Sequence, residues 1–192
     1  TLAWAVEKRL LRENVASFVK VRVPKKVKLR ERDFTQDEAI KILSATFQRF
    51  PGVNEHERRA RRWIPWLCAY TGARVNEIGQ LRGRDIKRVD GIWIIEISPD
   101  AGTVKNNQSR QVPIHPHIVE QGFIRAINLN DDAPLFYDQS RIKNAGPSNR
   151  YYKKVGERLR DWIREEVGIS DPAVQPNHGW RHTFKTRAID AG

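Results

Sequence analysis

A stretch of apolar residues, Trp63, Ile64, Trp66, Leu67, Cys68, Ala69 and Tyr70, runs directly into Thr71, Gly72, Ala73 and Arg74. No other segment limits the possible folds of this chain so strongly. Apolar side chains on nearly every side of a helix predict one buried at the centre of a domain. Gly72 predicts where it stops, because only glycine enters the left-handed conformation without a steric penalty. A second short helix is expected from near Val75, with Ile78 and Leu81 on one face. Arg74 then falls at the junction of two core helices, where a guanidinium is costly to bury without an anion. Taken alone, the segment is satisfied by a structural ion pair of Arg74 with Glu77 or Asp85.

The flanking sequence predicts an α+β fold that is mainly α-helical with one small antiparallel sheet. Leu2 to Phe18 places Leu2, Val6, Leu10 and Val15 at helical spacing and predicts one amphipathic helix. Residues 19–32 are basic and interrupted by Pro24, the composition of an extended linker. Thr35 and Glu38 form a capping box, after which Ala39, Ile40, Leu43, Phe47 and Phe50 recur at spacings of three and four. The run from Glu55 to Trp63, with Arg58, Arg59, Arg61 and Arg62, reads as a solvated helix face opening the central helix.

Beyond Leu81 the pattern changes to strands. Asp90-Gly91 is a turn signal, Ile92–Ile97 is β-branched and aromatic, and the segments Thr103–Lys105 and Arg110–Ile114 flank the polar turn 106–109. Lys105 is thereby expected near a hairpin tip. Pro116 predicts a helix through Ile127, and Tyr152, Val155, Leu159, Trp162, Ile163 and Val167 mark a long one ending at Gly168. Pro176 opens a last helix that carries His178, Arg181 and His182.

Charge narrows the partner. The 192 residues contain 35 Lys and Arg against 23 Asp and Glu, a net charge of +12, which points to a polyanion and first to nucleic acid. No apolar run approaches the roughly 18 residues of a spanning helix, so no membrane association is expected. The single Cys68 lies in an apolar helix and can form no disulfide framework, which fits a cytoplasmic setting. The chain has no methionine even at its first position, which predicts a piece of a longer protein.

Arg74, Lys105, His178 and Arg181 ask for a common explanation. Two arginines offer forked donors to the non-bridging oxygens of one phosphate, a lysine can protonate a departing alkoxide, and a histidine can move a proton. That inventory is phosphoryl-transfer chemistry without a metal. The sequence at these positions resembles the tyrosine recombinases, the phage-integrase family of site-specific DNA recombinases. The matches are Thr71-Gly72-x-Arg74-x-x-Glu77-Ile78-x-x-Leu81 with Asp85-Ile86; Thr103-x-Lys105 leading into Val112-Pro113-Ile114; and His178-x-x-Arg181-His182-Thr183-Phe184. Phe34-Thr35-x-x-Glu38-Ala39 resembles the opening of the family's catalytic domain, and Trp4-Ala5 the end of its core-binding domain. The resemblance implies three segments: residues 1–18 as the last helix of a preceding domain, 19–32 as a basic linker, and 33–192 as a catalytic domain.

The same resemblance implies roles. Arg74 and Arg181 would clamp the scissile phosphate, Lys105 would protonate the 5′-oxygen, His178 would assist proton transfer, and Glu77 and His182 would support them. The partner would be double-stranded DNA, with self-association on DNA through a C-terminal segment. In the family the nucleophilic tyrosine follows the His-x-x-Arg segment, and the tyrosines present, Tyr70, Tyr137, Tyr151 and Tyr152, all precede it. A catalytic domain truncated before its nucleophile is therefore expected, inactive alone and of unstated DNA site. A type IB topoisomerase-like enzyme and a non-catalytic DNA-binding regulator on the same fold are the competing readings. Lys87 and Lys143 compete with Lys105 as the mobile ammonium. No cofactor or metal is implied: His178 and His182 lack the glutamate of His-Glu-x-x-His, and His115-x-His117 lies beside a proline.

Overall fold

The computed structural model describes residues 1–19, 30–99, 108–142 and 151–192. Its centre is helix α3, Glu55–Thr71, which packs against four other helices: α2, Gln36–Ala45; α4, Val75–Gly79; α6, Tyr152–Asp161; and α7, Pro176–Asp190. Trp63, Ile64, Leu67 and Cys68 of α3 are buried in one continuous core with Ile42, Ile78, Leu159, Trp162 and Trp180. Truncating a side chain buried as fully as Leu67 costs about 2–5 kcal/mol, so this helix holds the domain together. Burial also pushes the Cys68 thiol pKa up, leaving an inert packing group.

Local chemistry explains the ends of the elements. The Thr35 hydroxyl accepts from the Glu38 N–H and the Glu38 carboxylate accepts from the Thr35 N–H, the reciprocal box that starts α2. Asn54 caps α3, and Gly72 ends it at φ 61. Asp90 and Gly91, both at positive φ, turn strand β1, Ile86–Val89, into β2, Ile92–Ile97. Strand β3, Arg110–Pro113, completes the antiparallel sheet in the order β1-β2-β3, with Ile97 opposite Arg110. Among the described residues no helix is long and apolar enough to cross a membrane.

Several expectations are corrected. The N-terminal helix is only α1, Leu2–Glu7, not a continuous helix through Phe18, and Trp4, Leu10, Val15 and Phe18 are exposed. An amphipathic repeat of that length is marginal as a helix unless its apolar face is packed. Pro116 starts a helix, α5, that ends at Glu120 rather than Ile127. Gly122 at φ 94 interrupts it, and a separate turn of 3₁₀ helix follows at Ile124–Ala126. Ile40 and Phe47 are exposed, and the buried positions of α2 are Ala39, Ile42 and Ala45. The long helix up to Gly168 is present but changes to a π turn at Trp162–Glu166, which accommodates the adjacent buried side chains Trp162 and Ile163.

The basic opening of α3 is a solvated face only in part: Arg58 is exposed, whereas Arg61 and Arg62 are engaged with other side chains. Arg61 is buried, with both Glu166 oxygens at 2.9 Å and Glu57 at 3.0 Å. Arg62 lies over the rings of Phe47 and Trp63 at 4.2 and 4.0 Å and donates to Gln121. These charges knit helices together, because a delocalised guanidinium can satisfy a carboxylate and stack on an aromatic face at once.

Candidate active site

The end of α3 presents the first arginine. Gly72 donates its N–H to the Cys68 carbonyl at 2.9 Å and turns the chain, and Arg74 then caps α4 in an extended conformation. The Arg74 N–H and its Nη1 each donate at 2.9 Å to the two oxygens of Glu77. The expected Arg74–Glu77 pair is therefore present, whereas Asp85 belongs to Arg82, whose Nη2 lies 2.8 Å from Asp85 Oδ1. Glu77 is only 2 % exposed and Arg74 30 %, so the carboxylate is enclosed while part of the guanidinium faces outward.

Glu77 has a second guanidinium. Arg110, the first residue of β3, donates from Nη2 to Oε2 at 2.6 Å and from Nη1 to Oε1 at 3.3 Å. Burial alone would push the Glu77 carboxyl pKa up; the hydrogen bonds from Arg110 and Arg74 outweigh it and hold the group below the usual carboxylate range. In the sequence Arg110 reads only as a strand residue. Its partner lies 33 positions away, and nothing local to Arg110 signals it.

Helix α7 brings the other residues. Its start is seated on Phe34, where a side chain on Gly179 would fall 2.5 Å from the ring, and where the Phe34 N–H donates to Thr183 Oγ1 at 2.8 Å. On the α6 side, Asn177 donates to the Gly156 carbonyl at 2.9 Å. So anchored, α7 aims Arg181 at the end of α3, and Arg181 Nη1 donates to the Gly72 carbonyl at 2.8 Å. His178 stands one helical turn earlier. Burial holds its pKa below the ordinary value, and the positive charges of His182, Arg74 and Arg181 push it further down. Residues more than 100 positions apart, Gly72 and Arg181 being separated by 109, thus form one cationic corner.

His182 is exposed, and it bears on the site through its charge on His178. Lys105 and Lys143 lie outside the described residues. Lys87 is ion-paired with Glu96. It pairs across the ladder with Ile94, while Arg110 pairs with Ile97, three residues on, and strand side chains alternate faces. Lys87 therefore projects from the sheet face opposite Arg110 and Glu77.

The tyrosines are engaged elsewhere. Tyr70 Oη lies 2.7 Å from His117 Nδ1, Tyr152 is buried, and the Tyr137 and Tyr151 rings pack at 5.6 Å. Among the described residues, no group of three His, Cys, Asp or Glu side chains is placed to hold a metal ion.

Residues 32–192 match the phage integrase family. Among curated protein sequences no match to the chain is found. Among solved structures it is similar to the XerH site-specific recombinase bound to its difH substrate in a pre-cleavage complex, with a TM-score of 0.55 at 20% identity. That likeness covers 86% of this chain and 46% of the other, so the chain spans less than half the length of that recombinase. It shows a shared fold, a helical core with a small antiparallel sheet.

Proposed function

The chain belongs to the phage integrase family, and from that premise we propose that it is the catalytic portion of a site-specific recombinase that breaks and rejoins duplex DNA. Residues 33–192 form the catalytic domain in this reading, and 19–32 form the linker leading into it. The observation that carries the proposal is the convergence of Arg74, His178 and Arg181 at the end of α3. Two guanidiniums with outward-facing surface and a largely neutral imidazole suit a phosphodiester better than they suit a structural ion pair, which would have used up both arginines on carboxylates.

In the proposed reaction a tyrosine phenol attacks the phosphorus, forming an aryl–phosphate bond to the 3′ side while the bond to the 5′-oxygen breaks. Arg74 and Arg181 stabilise the charge on the non-bridging oxygens. His178 handles the proton of the phenol, and Lys105 gives a proton to the departing 5′-oxygen. Religation runs the same steps in reverse, because the phosphotyrosine keeps the bond energy. None of Tyr70, Tyr137, Tyr151 and Tyr152 is proposed as the attacking group, and the chain alone is expected to bind DNA without forming a covalent adduct.

A nicked suicide substrate tests the function. A cleavage-competent form of the protein should be trapped as a denaturation-resistant protein–DNA species through a 3′-phosphotyrosine, and Arg181→Ala should abolish it. Tight DNA binding with no trapped species under any condition would instead support a non-catalytic regulator.

A further inference from the structure

Glu77 serves two arginines unequally. Arg110 meets both carboxylate oxygens with its two terminal nitrogens, whereas Arg74 gives the carboxylate one side-chain bond and its backbone N–H. We propose that Arg110 is a positioning residue that neutralises Glu77, leaving the charge of Arg74 available to a bound phosphate. This rests on the reading of the corner as a phosphate site.

Arg74 and Arg110 bring two positive charges to one enclosed carboxylate, so the trio is net positive by one. Without Arg110, Arg74 and Glu77 would form a neutral pair, and at short range in a partly buried setting that cancellation is strong. Glu77 cannot simply be dispensed with, because its oxygen holds the Arg74 N–H at the first turn of α4 and so fixes where the guanidinium starts. Arg110 resolves the conflict: the carboxylate keeps its positioning task while its charge is satisfied from the sheet side. The forked geometry needs arginine, since a lysine offers one point charge to two oxygens. The same ion pair ties β3 to α4.

The test is titration of inorganic phosphate into the chain, followed through the His178 ring resonances, at a temperature where circular dichroism shows each variant folded. Wild type should saturate. Arg110→Ala should weaken phosphate binding by about tenfold, and adding Glu77→Gln to it should bring affinity back to within about threefold of wild type. The double variant lacks an unpaired buried carboxylate, so it stays measurable even if Arg110→Ala alone fails to fold. Unchanged binding by Arg110→Ala would overturn the proposal, as would a double variant still about tenfold weak, which would mark Arg110 as merely structural. If wild type itself shows no phosphate binding, the phosphate-site reading falls and takes this inference with it, an outcome distinct from the other two.

Discussion

Arg181 and Gly72 are joined by a 2.8 Å hydrogen bond from the arginine Nη1 to the glycine carbonyl, so the residue that stops the central helix also receives the second arginine of the site. Their coupling makes the stop more than a local cap. Gly72 has φ 61, and a side chain there would fall 2.6 Å from Phe184 Cδ1 on α7.

Gly72→Ala should therefore destabilise the fold by about 1–3 kcal/mol, the cost of holding a non-glycine residue in the left-handed region. The contact with Phe184 adds to it, because α7 must shift or the ring must swing. Denaturant unfolding measures the loss. A neutral effect on stability would mean that residue 72 need not be held in the left-handed region and that α7 is free to move away from α3.

The net charge of +12 predicts the mode of DNA binding. Affinity of the chain for a short duplex should fall with salt at a log–log slope of about −0.9 per phosphate neutralised. Fluorescence anisotropy between low and physiological salt measures that slope. Binding that is weak and independent of salt would contradict a phosphate-dominated interface.

How much of this could be read from the residues depended on whether the signal was local. Thr35 with Glu38, Gly72, Asp90 with Gly91, and Pro176 each specify a backbone conformation through their own chemistry, and each appears where expected. The helix predicted through Phe18 failed because periodicity reports a preference for burial, not the presence of something to bury against. Arg61 failed for a related reason: its partner Glu166 is 105 residues away, and only the fold brings them together. The site shows the same division. Arg74, His178 and Arg181 were legible as motif residues, and they do converge, while Arg110 was not, since its role exists only through the carboxylate it shares.

His178 gives a pH signature. Its pKa in the folded chain lies below the ordinary 6.5, by burial and by the charges of His182, Arg74 and Arg181. The unfolded chain takes up this proton first as pH falls, so the group favours folding above about pH 6.5 and that stability is lost on descending through the folded pKa. Bound DNA should reverse the local field. A phosphate between the arginines favours the imidazolium, and the His178 resonances should titrate at higher pH in the complex than in the free chain. An unchanged or lower pKa on DNA would place the phosphate away from His178.

The proposed role of Lys105 follows from what a general acid does. In the proposed reaction, attack by a tyrosine expels a 5′-alkoxide, which leaves with difficulty unless it is protonated, and an ammonium can supply that proton in the transition state. In a cleavage-competent form of the protein, Lys105→Ala should slow strand cleavage by roughly 10²- to 10⁴-fold. Arg74→Ala should be at least as damaging, yet for a different reason, since a guanidinium stabilises the non-bridging oxygens whatever the leaving group is. Replacing the bridging 5′-oxygen by sulfur creates a group that departs readily as an anion and removes the need for an acid. Rapid-quench measurement of single-turnover cleavage on that substrate should show Lys105→Ala largely restored and Arg74→Ala still impaired. Lys87 can serve as the internal control, because its ion pair with Glu96 sits on the sheet face opposite Arg110 and Glu77. Lys87→Ala should leave cleavage of both substrates nearly unchanged. Equal recovery of Lys105→Ala and Arg74→Ala, or recovery of neither, would remove Lys105 from the role, and a Lys87→Ala defect rescued by sulfur would transfer the role to Lys87.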